Sequence, residues 1–390
     1  MFLPIIALCL SFFSIAAQEV EQKLLTVHVL LEKKQEGQDD LSWTIQSEGG
    51  FILQDPYHLE CKDHMSGKKC SLTFKDGSLW VNKKKLARNR LMISPQKGNL
   101  SINDRTYAGS FSLIPEDGVW HLVNSIDVES YVCSVLRSES WPGWPVEVNK
   151  AFAIMQRSYV VAKVTQARAK KKSGKRFIYD IGCTNYDQTY QGVHAFPTLQ
   201  QAVDETRGIV LAHKKKPILA MYDVCCGGLI PTKMEGVDFK GSPYLARSYP
   251  CTFCTNCKVY SWKVTYPRDY LQELCAKAGV PLEQLDELKV SKYDKAGQVR
   301  EVKLRSGKKW HTVTGKQMYK ICKDIKSYCF SITQHADHNK NSVVTVTGKG
   351  YGHHLGLCQW GARQMVAEGW NYKEILEFYY PHVSIMRLDS

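Results

Sequence analysis

Glu139 stands in the stretch Arg137-Ser138-Glu139-Ser140-Trp141-Pro142-Gly143-Trp144-Pro145, one carboxylate beside two tryptophans and two prolines. An apolar wall disfavours a charged carboxylate and raises its pKa. A glutamic acid so tuned can protonate a leaving oxygen near neutral pH. Aromatic neighbours also suit a cleft in which sugar rings stack. The alternative is a solvated glutamate that ends a short helix carrying Tyr131, Val135 and Leu136.

Two other clusters have polar groups that a cleft could use. In Tyr186-Asp187-Gln188-Thr189-Tyr190-Gln191-Gly192, Asp187 and Gln188 can hydrogen-bond hydroxyl groups or fix the backbone, and Tyr190 can stack or donate. A structural turn with a buried aspartate fits the same residues. Near the C-terminus, Gly348 to Ala362 intersperses five glycines with two histidines, two aromatics and a glutamine. Glycines this dense let a backbone take positive φ or pass close to another group. His353 and Gln359 are the candidates there. His353 can orient Glu139, touch a substrate or bond a backbone carbonyl.

Cys251-Thr252-Phe253-Cys254-Thr255-Asn256-Cys257 places three cysteines at CxxCxxC spacing, downstream of Cys225-Cys226-Gly227-Gly228. One tetrahedral zinc takes four such ligands. Cys226, Cys251, Cys254 and Cys257 supply them, with Cys183 or His194 as alternates. Disulfides within the same group explain the spacing equally well in an oxidising compartment. Either role is structural, and no pattern sets a histidine beside these thiols to make a nucleophile.

These residues need elements to position them. From Leu24 to about Val123 the pattern is of short strands, with turn signals at Asp76-Gly77 and Asp117-Gly118. Pro145 suits the first turn of a helix. Val148, Ala151, Phe152, Met155, Tyr159 and Ala162 then recur at helical spacing, predicting a helix to about Ala169 with one buried face. Further helices are expected over 267–279, 317–322 and 363–380, hairpins over 290–314, and a strand over 342–347 that delivers the chain into the glycine-rich loop. The fold class is α+β, a β-rich N-terminal region packed on a mixed α/β domain with a central cleft.

The 390 residues can bury one large core or two moderate ones. Met1 to Ala17 is apolar and uncharged and reads as a signal peptide, with an uncleaved anchor as the alternative. The rest then carries all of the net charge of +14, which favours acidic partners. Export opposes nucleic acid, and no recognition-helix or zinc-finger spacing supports it. Fourteen cysteines, thirteen beyond Cys9, point to disulfides or metal in such a protein.

The motifs together resemble the SpoIID/LytB family of cell-wall proteins. Val123 to Ala162 is similar to its central motif, Tyr186 to Gly228 to a second and Thr347 to Pro381 to its C-terminal signature. The resemblance puts Glu139 at the family's catalytic glutamate and Arg157 and Tyr159 at its helix positions. It aligns Asp187, Gln188 and Tyr190 with an Asp-Gln-x-Tyr-x-Gly segment, and His353 and Gln359 with a histidine and a glutamine. His354 replaces a glycine, which a left-handed backbone would favour. The implied domains are a signal peptide (1–17), a β-rich region (18–122) and a SpoIID-like catalytic domain (123–390).

The activity implied is lytic transglycosylation of peptidoglycan in the periplasm or cell envelope, with no cofactor required for catalysis and zinc only structural. One glutamate would act as acid and then as base. Glu129, Glu147 and Asp127 are the candidate second acids for a two-carboxylate hydrolase. The alternative function is a non-catalytic peptidoglycan-binding enhancer of a cell-wall amidase. Peptidoglycan glycan strands are the implied partner, and an amidase or division proteins stay open as protein partners.

Overall fold

Alternation in Thr26–Gln35 turns Val27 and Val29 to a buried face, and the same rule runs through the first hundred residues. A computed structural model describes residues 25–35, 41–55, 65–75, 78–86, 90–172, 178–336 and 342–388. The expected signal segment and the Asp76-Gly77 turn lie outside them. The N-terminal strands join one 11-stranded sheet with its centre at Val119–Asp127, Ser110–Glu116, Leu91–Pro95 and Leu41–Gln54. Asp117 and Gly118 both take positive φ, as the tight hairpin turn between Ser110–Glu116 and Val119–Asp127 requires.

Strand Val119–Asp127 runs straight into helix α1 (Val128–Glu139). The Asp127 carboxylate caps it, accepting from the amides of Glu129 and Ser130. Helix α2 (Val146–Lys172) follows the proline turn and is the axis of the domain. It packs against α1, α3 (Pro197–Glu205) and strand Ile209–His213. The expected single apolar face understates it: between Val148 and Val164 nearly every side chain is buried, Asn149, Gln156, Arg157 and Ser158 included. Neighbours on all sides, rather than one, account for the difference. A continuous core runs from Val27 through Phe152 to Tyr380, so the sheet and the helices share one interior. The chain is α+β.

Residues 261–349 have a second core, built on Leu271, Leu288, Val302, Leu304, Met318, Phe330 and Val344. Helices α4 (Arg268–Lys277) and α5 (Gly315–Ile321) cover two three-stranded sheets. This insert leaves and returns at one place: Ser261 pairs with Lys349, and the Gly350 amide donates to Tyr260 O at 2.9 Å.

The C-terminal segment expected as one helix is two, α6 (Gln359–Ala367) and α7 (Tyr372–Tyr379). Gly369 takes φ +93° between them, and Asn371 with Glu374 forms a capping box that restarts the chain as helix. Among the described residues, no helix is long and apolar enough to cross a membrane.

Candidate active site

Glu139 is the last residue of α1, and its carboxylate faces a cleft of about 700 Å³. The cleft is lined on one side by Arg137 to Pro142 and on the other by Ala220 to Val224, with Tyr351, Gly352 and His353 at its floor. Three groups hold Glu139. The Thr189 amide donates to Oε1 at 2.7 Å. Gln359 Nε2, at the first residue of α6, donates to the Glu139 carbonyl at 2.7 Å. The Tyr222 phenol lies against the carboxylate; its pKa is pushed well above the ordinary value by burial first and by Glu139 second. Tyr222 therefore keeps its proton and has a hydrogen bond to give.

The expected indole wall is only half present. Trp141 borders the cleft at 57% exposure. Trp144 turns away and packs on Phe152 and Trp360. The surroundings of Glu139 are tyrosine, amide and histidine more than tryptophan, because Trp144 belongs to the core seam between α2 and α6.

The floor depends on two glycine turns that meet. Gly227, at φ +59°, lies so close to the glycine-rich loop that a Cβ there would stand 2.7 Å from Gly350 N. Tyr351 and Cys225 bridge the turns, and Tyr222–Asp223 pairs in parallel with Leu357–Cys358. His354 does adopt the left-handed conformation, φ +66°. Its amide donates to the Asp223 carboxylate at 2.7 Å and its Nδ1 bonds Cys226 O at 2.9 Å, so two contacts offset the backbone cost. His353 accepts from the Leu355 amide through Nδ1 at 3.0 Å. Burial, with His354 beside it, pushes its imidazole down to about 4, so it is neutral near pH 7.

Of the other candidates, Tyr159 and Asp187 also line the cleft. Tyr159 donates to Asp187 at 3.3 Å, and Lys163 pairs with the same carboxylate at 2.6 Å. Three proposed substrate contacts lie elsewhere. Arg157 is wholly buried and is held by Glu129 at 2.6, 3.0 and 3.1 Å, with Ile209 O as a further acceptor. Gln188 is buried between Tyr131 Oη and Gln156 O. Tyr190 stacks on Tyr131 and donates to Asn124 at 2.5 Å. These three side chains are cross-links behind the cleft wall, and it is the Thr189 backbone between the last two that reaches the site.

The candidate second acids are likewise engaged. Glu129 serves Arg157, Asp127 caps α1, and Glu147 pairs with Lys150 at 2.7 Å and accepts from the Tyr372 amide. Besides Asp187, the cleft holds Asp223, an acid that the sequence alone did not single out. Burial pushes its carboxyl well above the usual carboxylate range, against the hydrogen bond it accepts from the His354 amide. Its signal, and that of Tyr222, was position: only Val224 separates the pair from Cys225-Cys226-Gly227-Gly228, where the double glycine marks close backbone approach.

Cys226, Cys251 and Cys254 do come together, with sulfurs within 4.8 Å of one another, but the fourth member is Cys358 and not Cys257. Cys257 closes a turn, its amide donating to Cys254 O, and its thiol faces Cys225 instead. The alternates are elsewhere: Cys183 points to Leu31 O, and His194 bonds Cys133 O. All twelve described cysteines are free thiols.

The sequence model of the family described as Stage II sporulation protein, SpoIID, matches residues 116–213. An uncharacterized protein of Brachyspira hyodysenteriae is 28% identical over 311 residues, 79% of each chain. Stage II sporulation protein D of Bacillus amyloliquefaciens is 24% identical across 69% of this chain and 77% of its own. The amidase enhancer of Bacillus subtilis is 23% identical across 88% of this chain, which spans 52% of that protein.

Proposed function

The chain belongs to the SpoIID/LytB family of cell-wall proteins, and on that premise we propose that it is an exported lytic transglycosylase of peptidoglycan with Glu139 as its acid and base. The carrying observation is the Glu139 carboxylate set at the end of a helix on an open cleft, held by an amide and a phenol while Gln359 fixes its backbone carbonyl. In the first step Glu139 gives its proton to the oxygen linking muramic acid C1 to the next glucosamine, and the C1–O bond breaks. In the second step the carboxylate takes the proton of the muramyl C6 hydroxyl as that oxygen bonds to C1. The products are a 1,6-anhydro-muramyl end and a free glucosamine 4-hydroxyl, with no water consumed.

The neighbours suit this sequence. A two-carboxylate hydrolase needs a second ionised acid at a set separation. Burial disfavours a charged carboxylate at Asp223, and Asp187 is paired to Lys163. Tyr222 can give its proton as a hydrogen bond to Glu139 when the carboxylate is charged. Trp141 offers a face for a sugar ring.

Digestion of purified sacculi tests the reading. Mass analysis of the fragments should find anhydro-muramyl ends from the native protein and none from Glu139→Gln. Reducing ends would make it a hydrolase. No new ends, with sacculi still bound, would favour a role like the one the amidase enhancer's name describes.

A further inference from the structure

We propose that Cys226, Cys251, Cys254 and Cys358 bind one zinc(II) in a closed four-thiolate site, which locks the catalytic loop to the neck of the 261–349 insert. All four thiols are buried and converge on one point. Zinc–sulfur bonds of about 2.3 Å in a tetrahedron place the sulfurs about 3.8 Å apart. The Cys226 and Cys254 sulfurs stand 3.7 Å apart. Four protein ligands leave no open position, so the metal has a structural and not a catalytic role.

The surroundings are those of thiolates and not of a simple apolar pocket. The amides of Cys226 and Gly361 point at Cys358 Sγ at 3.3 and 3.4 Å. Tyr379 Oη is 3.2 Å from Cys251 Sγ. Donors of this kind orient metal-bound sulfur and take up part of its charge. Arg247 is buried nearby, its guanidinium over the Tyr379 ring and its nitrogens on the carbonyls of Tyr249 and Leu229. A cation sealed in this way fits an anionic centre, which a zinc with four thiolates is. Gly361 must lack a side chain here, since a Cβ would lie 2.9 Å from Cys251 Sγ and closer still to Tyr379 Oη.

The position in the chain gives the site its consequence. Cys251 and Cys254 precede the insert, and Cys358 follows it. Cys358 also caps α6, whose first residue is the Gln359 that grips Glu139. One ion would thus fix the insert's two ends and the cleft wall together. This inference stands independently of the reaction assigned to Glu139.

The full-length protein, purified without chelator or added metal, should carry one zinc per chain by elemental analysis. X-ray absorption at the zinc edge should show four sulfur neighbours at about 2.3 Å. Cobalt(II) exchange should give the intense visible bands of a tetrahedral thiolate site and a near-ultraviolet sulfur-to-metal band. Cys358→Ser should lose the four-sulfur signature, while Cys257→Ser should keep metal and spectrum unchanged. A metal-free protein whose four thiols are found as disulfides on counting under denaturing conditions would overturn the proposal. So would a mixed nitrogen and sulfur shell in the native protein, a result that does not depend on any variant folding.

Discussion

At the scale of single residues, the role proposed for Glu139 turns on its proton, and the two partners of its carboxylate, the Thr189 amide and the Tyr222 phenol, bear on where that proton can go. Glu139→Gln keeps the shape and the hydrogen bond from Thr189 but has no proton to exchange. General acid–base catalysis contributes about 10²- to 10⁴-fold, so fragment release from sacculi should fall by at least that factor while pelleting with sacculi is unchanged. Tyr222→Phe removes only the phenol's hydrogen bond. A bond to a charged group is worth about 1.5–3 kcal/mol; if it is strongest while Glu139 is charged, kcat should drop roughly ten- to a hundredfold with little change in KM. An equal loss from Tyr159→Phe would show that the cleft tolerates no missing phenol and that Tyr222 has no special role.

His353 supplies a pH dependence of stability. Its folded pKa, about 4, lies below the ordinary 6.5, so the unfolded chain binds the proton more readily than the folded one. That contribution is whole above pH 6.5 and is lost as pH falls toward about 4. At about 1.4 kcal/mol per pKa unit the loss is roughly 3 kcal/mol. Urea midpoints of the native protein should fall over this window, and those of His353→Gln should fall distinctly less. Parallel curves would assign the acid sensitivity to other groups.

Elements explain why some residues could be read and others could not. Glu139, Tyr159, Asp187, His353 and Gln359 reach the cleft, and all but Tyr159, which lies within α2, sit in short local motifs whose glycines, prolines and aromatics announce a shaped surface. Arg157, Gln188 and Tyr190 occur in equally suggestive strings but face inward. Which way a polar side chain on α2 points depends on α1, α3 and strand Ile209–His213, and no spacing within α2 encodes that. The helix is buried nearly all round, so its periodicity gave too narrow a buried face. Cys358 was missed for the same reason on a longer range: CxxCxxC favours the nearest thiol, while the true neighbour arrives from beyond the insert.

The buried pair Arg157–Glu129 turns this into a measurement. Removing one partner from a buried ion pair costs about 3–5 kcal/mol because the other charge is stranded. Arg157→Met should therefore lower stability by about that amount, and Arg157→Met with Glu129→Met should recover much of it. Glycan affinity of whatever fraction folds should be unaltered. Weakened affinity with normal stability would return Arg157 to the substrate.

For the whole molecule, a net charge of +14 sets how it meets an acidic polymer. Attraction of this sort is screened over about 10 Å at 0.1 M salt. Retention on sacculi should weaken steeply as salt is raised from about 0.05 to 0.5 M, while cleavage of short glycan fragments changes less. Salt-independent retention would mean that recognition is carried by the cleft alone. At this scale the α+β class and the β-rich first third were plain from alternation and turn residues. The separate core of residues 261–349 was not, since its helices and hairpins read as ordinary parts of one domain until the pairing of Ser261 with Lys349 showed that they form a closed body.

That pairing has a meaning for how such a chain can change over generations. Because the polypeptide departs and comes home through a single doorway, everything past the threshold is free to lengthen, shrink or be exchanged wholesale. A relative could wear a different ornament there and keep the same workshop behind it, provided the hinge posts at Tyr260 and Gly350 still touch.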